Sequence, residues 1–198
     1  EVRNGVMRES EWEWQMASPV RAGHEPSEII PNLFLSGNPE RFRTNGATEE
    51  SPTRYLLEEC GIALTICCCA APNASTFMSE CVDDGRTTYY SCLEEFCEAF
   101  INHVVPSKNQ MAVVNIPAND GDKFDLEAFF PLATHILNLA HKDLGVGVLV
   151  HCQMGISRST TIVAAYLLSR FGGTPLGDHP LIISEVNAKS RGPFASKA

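Results

Sequence analysis

Several features that mark whole classes of proteins are missing from this sequence. No run of about 18 apolar residues occurs, so we expect no membrane-spanning helix. The first ten residues are polar and charged rather than apolar, so we expect no secretory signal there. Internal repeats and low-complexity runs are also missing. With 198 residues, 44% of them hydrophobic, the chain fits one ordinary globular domain.

Positive charge is scarce as well. The chain has 15 Lys and Arg against 24 Asp and Glu, and its formal net charge is −9. An acidic protein is poorly suited to the phosphate backbone of nucleic acids or to an anionic membrane, so we expect neither as a partner. The same charge favours solubility, and it suits a substrate with basic flanks.

The cysteines do not follow the pattern of a disulfide framework or of a zinc site. Three of the eight are consecutive, Cys67, Cys68 and Cys69, and no Cys and His cluster has the spacing of a structural zinc site. We therefore expect reduced thiols, a cytoplasmic or nuclear location, and neither a metal nor another cofactor. Cys67 to Cys69 are predicted to be buried strand residues. The alternative is that one of them approaches Cys152 and forms a protective disulfide with it on oxidation.

Strand-like and helix-like segments alternate along the chain, which predicts an α/β fold with a central, mostly parallel twisted sheet flanked by helices. Strands are predicted at Leu33–Leu35, Ala63–Cys69, Ala112–Ile116 and Val146–Val150. Helices are predicted at Pro52–Cys60, Ser91–Val104, Leu126–His141, Ser159–Phe171 and Leu181–Lys189. Residues 1–27 are expected to be an extension, either packed by its two tryptophans or partly disordered, and residues 28–198 the domain itself.

The most informative feature that is present is a nine-residue run, His-Cys-Gln-Met-Gly-Ile-Ser-Arg-Ser, at residues 151–159. It follows the apolar strand Val146–Val150 and precedes a predicted helix. Gly155 allows the backbone to bend, so that successive N–H groups can point inward and form a nest for an anion. The helix adds further N–H groups and the positive end of its dipole.

Arg158 and Cys152 give this loop its chemistry. The planar guanidinium of Arg158 matches two oxygens of a phosphate group, which a lysine cannot do. The same positive surroundings favour the thiolate form of Cys152, and a thiolate is the reactive form of cysteine. The loop therefore predicts an anion site that contains a nucleophile, as phosphoryl transfer through a cysteine requires.

Hydrolysis of a phosphate ester also needs an acid for the leaving oxygen and then a base for water. The candidates are Asp120, Asp122 and Asp125, which lie between the predicted strand Ala112–Ile116 and the following helix. Asp120 is favoured because it directly precedes the flexible Gly121. Asp122 is the alternative, unless it is simply solvated, and Asp125 has the position of a helix N-cap.

The run at residues 151–159 resembles the signature of the cysteine-dependent protein tyrosine phosphatases, and it is most similar to their dual-specificity branch. The stretch Glu28–Gly37 is similar to the opening strand and turn of that branch. Ile116–Asp120 resembles its general-acid loop, and Ala165–Leu168 matches the helix after the nucleophile. Together these stretches cover most of residues 28–171, and residues 28–198 would then form the catalytic domain.

The resemblance implies a fold like that of protein tyrosine phosphatases and a role for each site residue. Cys152 would be the nucleophile, Asp120 the general acid, and Ser159 a donor to the sulfur rather than only a helix N-cap. His151 would support the loop from beneath by a hydrogen bond to backbone. The residues that would bind the phosphate group are Gln153, Met154, Gly155, Ile156, Ser157 and Arg158.

The implied function is hydrolysis of phosphotyrosine and of phosphoserine or phosphothreonine in phosphorylated proteins. Alternatives are a phosphoinositide or RNA 5′-phosphate phosphatase of the same mechanism, or a phosphate-binding pseudophosphatase adaptor. Phosphoinositide members carry extra lysines in the loop, whereas Gln153, Met154, Ile156 and Ser157 are uncharged, which argues against them. Residues 70–111 form a longer segment than the family has, and we expect either an insertion bordering the site or a surface decoration.

Overall fold

The structure, a computed structural model, describes residues 26–39, 51–118 and 124–171. The described strands are β1 Ser27–Ile30, β2 Leu33–Ser36, β3 Ile62–Cys67, β4 Phe77–Cys81, β5 Thr87–Tyr90, β6 Gln110–Asn115 and β7 Gly147–His151. The predicted helix Leu181–Lys189 lies outside the described residues, and so do residues 1–25 of the expected extension.

Within the described ranges, four helices accompany these strands. Helix α1 spans Pro52–Arg54 and continues with π-type hydrogen bonds over Tyr55–Glu59. Helix α2 consists of three consecutive segments, Leu93–Ala99, the π-helical Phe100–Val104 and Val105–Ser107. Helix α3 likewise consists of the 3-10 turn Glu127–Phe129, the α-helical Phe130–Leu137 and the π-helical Asn138–Asp143. Helix α4 spans Arg158–Phe171. No helix in the described ranges has both the length and the apolarity that crossing a bilayer would require.

The seven strands form one sheet in the order β1-β2-β7-β3-β6-β4-β5. The four central strands, β2, β7, β3 and β6, pair in parallel, and the outer pairs are antiparallel. All five residues of β7 are buried, as expected for a strand covered on both faces. The prediction of an α/β fold is confirmed, with a parallel centre and antiparallel edges that make the sheet mixed.

The four predicted strands are confirmed with small changes at their ends, but β1, β4 and β5 were not predicted. These three strands lie toward the edges of the sheet, and only one residue of β1, two of β4 and none of β5 are buried, so the apolar pattern is weak. In β5, for example, three of the four residues are exposed. Pairing with neighbours, rather than local sequence, makes these segments strands.

Residues 70–111 complete one edge of the sheet. Strands β4 and β5 extend it beyond β6, and helix α2 packs on it through Phe96, Phe100 and Val104, each of which is only 1% exposed. Phe96 stacks against Phe77 of β4, with the ring centroids 5.2 Å apart. The segment thus contributes side chains to the main core, while its status as an insertion relative to the family stays a prediction.

The two faces of the sheet differ. Val148, Val150 and Cys152 point into the main core, which also contains Leu64, Ile66 and Cys68. Side chains alternate along a strand, so the residues between them point to the opposite face, where Leu149 belongs to a smaller apolar cluster. The opposite face also bears an open cavity lined by Cys67, Cys69 and His151.

A buried histidine links three parts of the fold. His141 of α3 lies 2.8 Å, through its Nε2, from the carbonyl oxygen of Pro31 in the β1–β2 turn. A carbonyl can only accept, so Nε2–H donates and Nδ1 is the acceptor. The Tyr166 hydroxyl lies 2.8 Å from that Nδ1, and Arg170 Nη1 lies 3.0 Å from it. The imidazole of His141 therefore joins the turn, α3 and α4.

Candidate active site

The run at residues 151–159 forms the connection between β7 and α4. Strand β7 ends at His151, helix α4 begins at Arg158, and the loop between them lies at the C-terminal end of a parallel strand. This is the edge of a parallel sheet at which ligands usually bind. Cys152, the first residue of the loop, is only 2% exposed.

Gly155 is required by two features of the loop. Its φ of +70° lies in the left-handed region that favours glycine. A Cβ atom at this position would stand 2.6 Å from the Gly37 nitrogen and 2.6 Å from the Ser36 carbonyl carbon. Both are backbone atoms of the turn after β2, which leaves no room for a side chain. The bend predicted from the sequence is therefore present, and β2 limits its shape.

Several donors surround the sulfur of Cys152. The backbone N–H of Gly155 donates to Sγ over 3.2 Å, and the Ser159 hydroxyl donates to it over 3.3 Å. Burial acts to raise the pKa of the Cys152 thiol, but hydrogen bonds from the Ser159 hydroxyl and from the N–H groups of Ser159, Met154 and Gly155 outweigh it. The net effect lowers the pKa of Cys152, which favours the reactive thiolate.

Ser159 is fully buried and stands in the first turn of α4. The sequence left open whether its hydroxyl caps the helix or serves the sulfur. The helix starts one residue earlier, at Arg158, and the hydroxyl points at Cys152 Sγ. This hydroxyl is thus placed to stabilise a thiolate.

Arg158 connects the loop with the end of β6. Its Nη1 donates a hydrogen bond to the carbonyl oxygen of Ala118 over 2.7 Å. Ala118, which is two residues before the predicted acid Asp120 in the sequence, thus lies beside Arg158. Asp120 and Asp122 themselves lie outside the described residues. The Oδ1 atom of Asp125 accepts a hydrogen bond from the Ala128 N–H over 3.3 Å, a capping contact at the start of α3.

The other loop side chains turn outward or aside. Met154 is 60% exposed and Ile156 is 50% exposed, and the Ser157 side chain is exposed as well. Gln153 lines the cavity on the opposite face. The exposed side chains of the loop, those of Met154, Ile156 and Ser157, are therefore all uncharged.

His151 supports the loop through its backbone. Its carbonyl oxygen accepts a hydrogen bond from the Cys68 N–H over 2.7 Å, which holds the end of β7 to the end of β3. The side chain is 7% exposed, and its Nδ1 has no hydrogen-bond partner among the described residues. A hydrogen bond from the His151 ring to backbone beneath the loop stays a prediction.

The three consecutive cysteines separate onto two faces. Cys68 is fully buried in the same core as Cys152, where burial raises its pKa. Cys67 and Cys69 point the other way, and their Sγ atoms lie 3.8 Å apart. The hydrogen bond from the Cys69 thiol lowers the pKa of Cys67 to about 7 and raises that of Cys69. The sequence predicted buried strand cysteines here, with a disulfide to Cys152 as the alternative. It did not predict the contact with His151, which is distant in sequence.

The site consists of a buried thiol in the loop between a parallel strand and a helix that begins with arginine. This arrangement is typical of the class of enzymes that act on phosphate esters through cysteine. The comparisons name the family within this class. The family model for the dual specificity phosphatase catalytic domain matches residues 75–174. The chain therefore belongs to the dual-specificity phosphatases of the protein tyrosine phosphatase superfamily, as the sequence resemblance predicted.

Individual relatives agree with this assignment. Human dual specificity protein phosphatase 4 is 47% identical over 154 residues, which are 77% of this chain and 28% of the relative. Human dual specificity protein phosphatase 6 is 35% identical over 91 residues, which are 42% of this chain and 24% of the relative. The chain thus spans about a quarter of the length of these relatives.

Solved structures show the same fold. The crystal structure of a variant of human DUSP28 superimposes with a TM-score of 0.50 at 19% sequence identity. The match covers 85% of this chain and 86% of that one. Since the identity is low, this likeness bears on the fold alone.

Proposed function

We propose that this chain is the catalytic domain of a protein phosphatase that hydrolyses phosphotyrosine and phosphoserine or phosphothreonine through a cysteinyl-phosphate intermediate. The observation that carries the proposal is the group of donors around Cys152 Sγ, which lowers the pKa of a buried thiol. A structural cysteine in an apolar core has no such donors, and burial raises its pKa, as at Cys68.

In the first step, the Cys152 thiolate attacks phosphorus and the bond to the ester oxygen breaks. Arg158 and the loop N–H groups hold the other phosphate oxygens and balance their charge. Asp120 donates a proton to the leaving oxygen, which departs as a neutral alcohol or phenol. In support of this role, Asp120 is two residues beyond Ala118, whose carbonyl oxygen accepts a hydrogen bond from Arg158.

In the second step, water replaces the sulfur. The Asp120 carboxylate takes a proton from the water molecule, the water oxygen attacks phosphorus, and the P–S bond breaks. The sulfur leaves as a thiolate, and the Ser159 hydroxyl, 3.3 Å away, donates a hydrogen bond to it. Inorganic phosphate is released and the enzyme returns to its starting state.

The substrate class follows from the loop and from the family. Met154 and Ile156 are exposed and uncharged, which suits the apolar surface next to a phosphorylated side chain and offers no cation to a second phosphate. We therefore assign phosphoproteins rather than phosphoinositides as substrates. Since all eight cysteines are free, a reducing compartment, the cytoplasm or the nucleus, is the proposed location.

The decisive experiment is hydrolysis of para-nitrophenyl phosphate in the presence of EDTA. We expect wild-type activity without added metal, and a loss of at least about a thousandfold in Cys152→Ser, because the hydroxyl is a far weaker nucleophile. Asp120→Ala is expected to lower kcat by roughly 100-fold or more with little change in KM. The matched control is Cys92→Ser, which removes an exposed cysteine and leaves activity unchanged.

Three other outcomes would count against the proposal. Full activity in Cys152→Ser would exclude the cysteine mechanism. An inert wild type that still binds a phosphotyrosine peptide would favour the adaptor alternative. Faster hydrolysis of a phosphoinositide or of an RNA 5′-phosphate than of phosphopeptides would keep the mechanism and change the substrate class.

A further inference from the structure

Three side chains of the types that can bind a metal ion lie together on the face of the sheet opposite Cys152. Cys67 ends β3 and His151 ends β7, and the two residues are direct neighbours in the parallel pairing of these strands. Cys69 follows two residues after Cys67, and its sulfur returns to the same face. One ligand atom from each of the three residues lies within 4.8 Å of the other two.

The distances agree with a tetrahedral zinc ion. Two thiolates bound at about 2.3 Å on tetrahedral positions place their sulfurs roughly 3.8 Å apart. The Sγ atoms of Cys67 and Cys69 are 3.8 Å apart. Tetrahedral bonds of about 2.3 Å to sulfur and 2.0 Å to nitrogen place these two ligand atoms roughly 3.5 Å apart. The His151 nitrogen lies within 4.8 Å of both sulfurs, so it needs to approach them by no more than roughly 1.3 Å.

His151 provides a second, independent observation. Its side chain is 7% exposed, and its Nδ1 is buried with no hydrogen-bond partner among the described residues. A buried polar atom in that state is unfavourable, and in most proteins it is paired with another group. The His151 ring also shares a hydrogen bond with the Cys69 thiol, so the ring is held beside the two sulfurs.

The surroundings leave room for a fourth ligand. The three residues line an open cavity of about 500 Å³, into which Asn115 and Gln153 also face. Three protein ligands with one open position are the pattern of a zinc ion that binds water or a small molecule. Thiolate and imidazole ligands select zinc over magnesium or calcium, which prefer oxygen.

We propose that Cys67, Cys69 and His151 form a zinc-binding site, with its fourth position open to the cavity behind the phosphate-binding loop. The site is separate from the nucleophile, because Cys152 and Cys68 point into the main core on the other face. It does not depend on the proposed hydrolysis. The spacing of cysteines and histidines along the sequence did not reveal this site, because His151 is far along the chain from Cys67 and Cys69.

The test is zinc binding by the Cys152→Ser protein, in which the catalytic thiol cannot serve as a ligand. We expect about one zinc per chain by competition with a chromophoric chelator. Cobalt in place of zinc should give the charge-transfer band of thiolate ligands and the strong visible bands of a tetrahedral ion. Adding Cys67→Ser and Cys69→Ser to this protein should weaken binding by at least about 100-fold.

The matched control adds Cys81→Ser and Cys97→Ser instead, which removes two other half-buried thiols, and it should bind as before. Zinc should also protect Cys67 and Cys69, but not Cys92, from alkylation in the Cys152→Ser protein, a measurement that does not rely on the folding of a multiple variant. Unchanged binding after loss of both cysteines in a folded protein, or alkylation of both thiols at the same rate with and without zinc, would overturn the proposal.

Discussion

At the scale of single residues, Gly155 shows how closely the loop is packed. Its φ is +70°, and an added Cβ would contact backbone of Ser36 and Gly37 at 2.6 Å. Gly155→Ala should displace the loop and lower kcat/KM for para-nitrophenyl phosphate by roughly 100-fold, the usual effect of an active-site shift of about 1 Å. Steady-state kinetics measures this loss.

Gly85 provides the matched control. Its φ is +68°, but an added Cβ would meet nothing within 4 Å. Gly85→Ala therefore carries a similar backbone strain, about 1 kcal/mol, without crowding and away from the site. It should keep wild-type kinetics. Wild-type kcat/KM in Gly155→Ala would mean that contact with the Ser36 and Gly37 backbone does not fix the shape of the loop.

Ser159 makes a second prediction at this scale. Its hydroxyl donates to Cys152 Sγ over 3.3 Å, and it is proposed to stabilise the departing thiolate. Ser159→Ala should lower kcat by about 100-fold, as loss of one preorganised donor does, and make breakdown of the phosphoenzyme rate-limiting. A burst of para-nitrophenol in stopped-flow measurements would show this change.

Thr161→Ala is the control for that experiment. Thr161 lies two residues later in the same helix, and its exposed side chain donates to the Ser157 carbonyl oxygen rather than to the sulfur. It should show wild-type kcat and no burst. A wild-type rate in Ser159→Ala would leave its hydroxyl with a structural role only.

At the scale of elements, helix α2 supports the edge formed by β4 and β5. Phe96 is 1% exposed, stacks on Phe77, and meets Tyr90 edge to face with ring centroids 5.7 Å apart. Phe96→Ala should lower the free energy of unfolding by about 3–5 kcal/mol, since it leaves a large cavity. Urea denaturation followed by circular dichroism measures this change.

A neighbouring aromatic residue is the comparison for this helix. Tyr89 lies in β5 beside Tyr90 but is 62% exposed. Tyr89→Ala should alter the stability by roughly 0.5 kcal/mol or less. If Phe96→Ala were equally mild, residues 70–111 would be a surface decoration after all, and α2 would not contribute to the core.

At the scale of the whole molecule, His141 joins parts of the chain that are far apart in sequence. It lies between Pro31 in the first turn and Tyr166 in α4, with a distance of 2.8 Å to each partner. His141→Ala would remove a hydrogen-bond partner of the buried Tyr166 hydroxyl and of the Pro31 carbonyl oxygen, and should cost about 2–3 kcal/mol in the free energy of unfolding. The midpoint of urea unfolding should fall accordingly.

The exposed His103 of α2 serves as the control for this link. His103→Ala should change the stability by about 0.5 kcal/mol or less. Should both variants unfold at the same urea concentration as the wild type, the hydrogen bonds of His141 would contribute nothing to the stability of the fold.

The central strands could be predicted because their sequences are apolar enough to be buried on both faces, as in β7. The outer strands could not, since three of the four β5 residues are exposed and the segment becomes a strand only by pairing with β4. The Cys152 loop could be predicted from the sequence for a different reason. Its nucleophile, glycine, arginine and serine lie within eight residues, so local chain order alone brings them together.

By itself, the sequence determined the loop, its order after a strand and before a helix, and the family to which the chain belongs. Only the tertiary structure decided which distant groups meet there: the Ala118 carbonyl at Arg158, the backbone of Ser36 and Gly37 against Gly155, and His151 beside Cys67 and Cys69. Local patterns specify backbone conformation and burial over a few residues. Contacts between strands depend on their order and register in the sheet, which no single segment encodes.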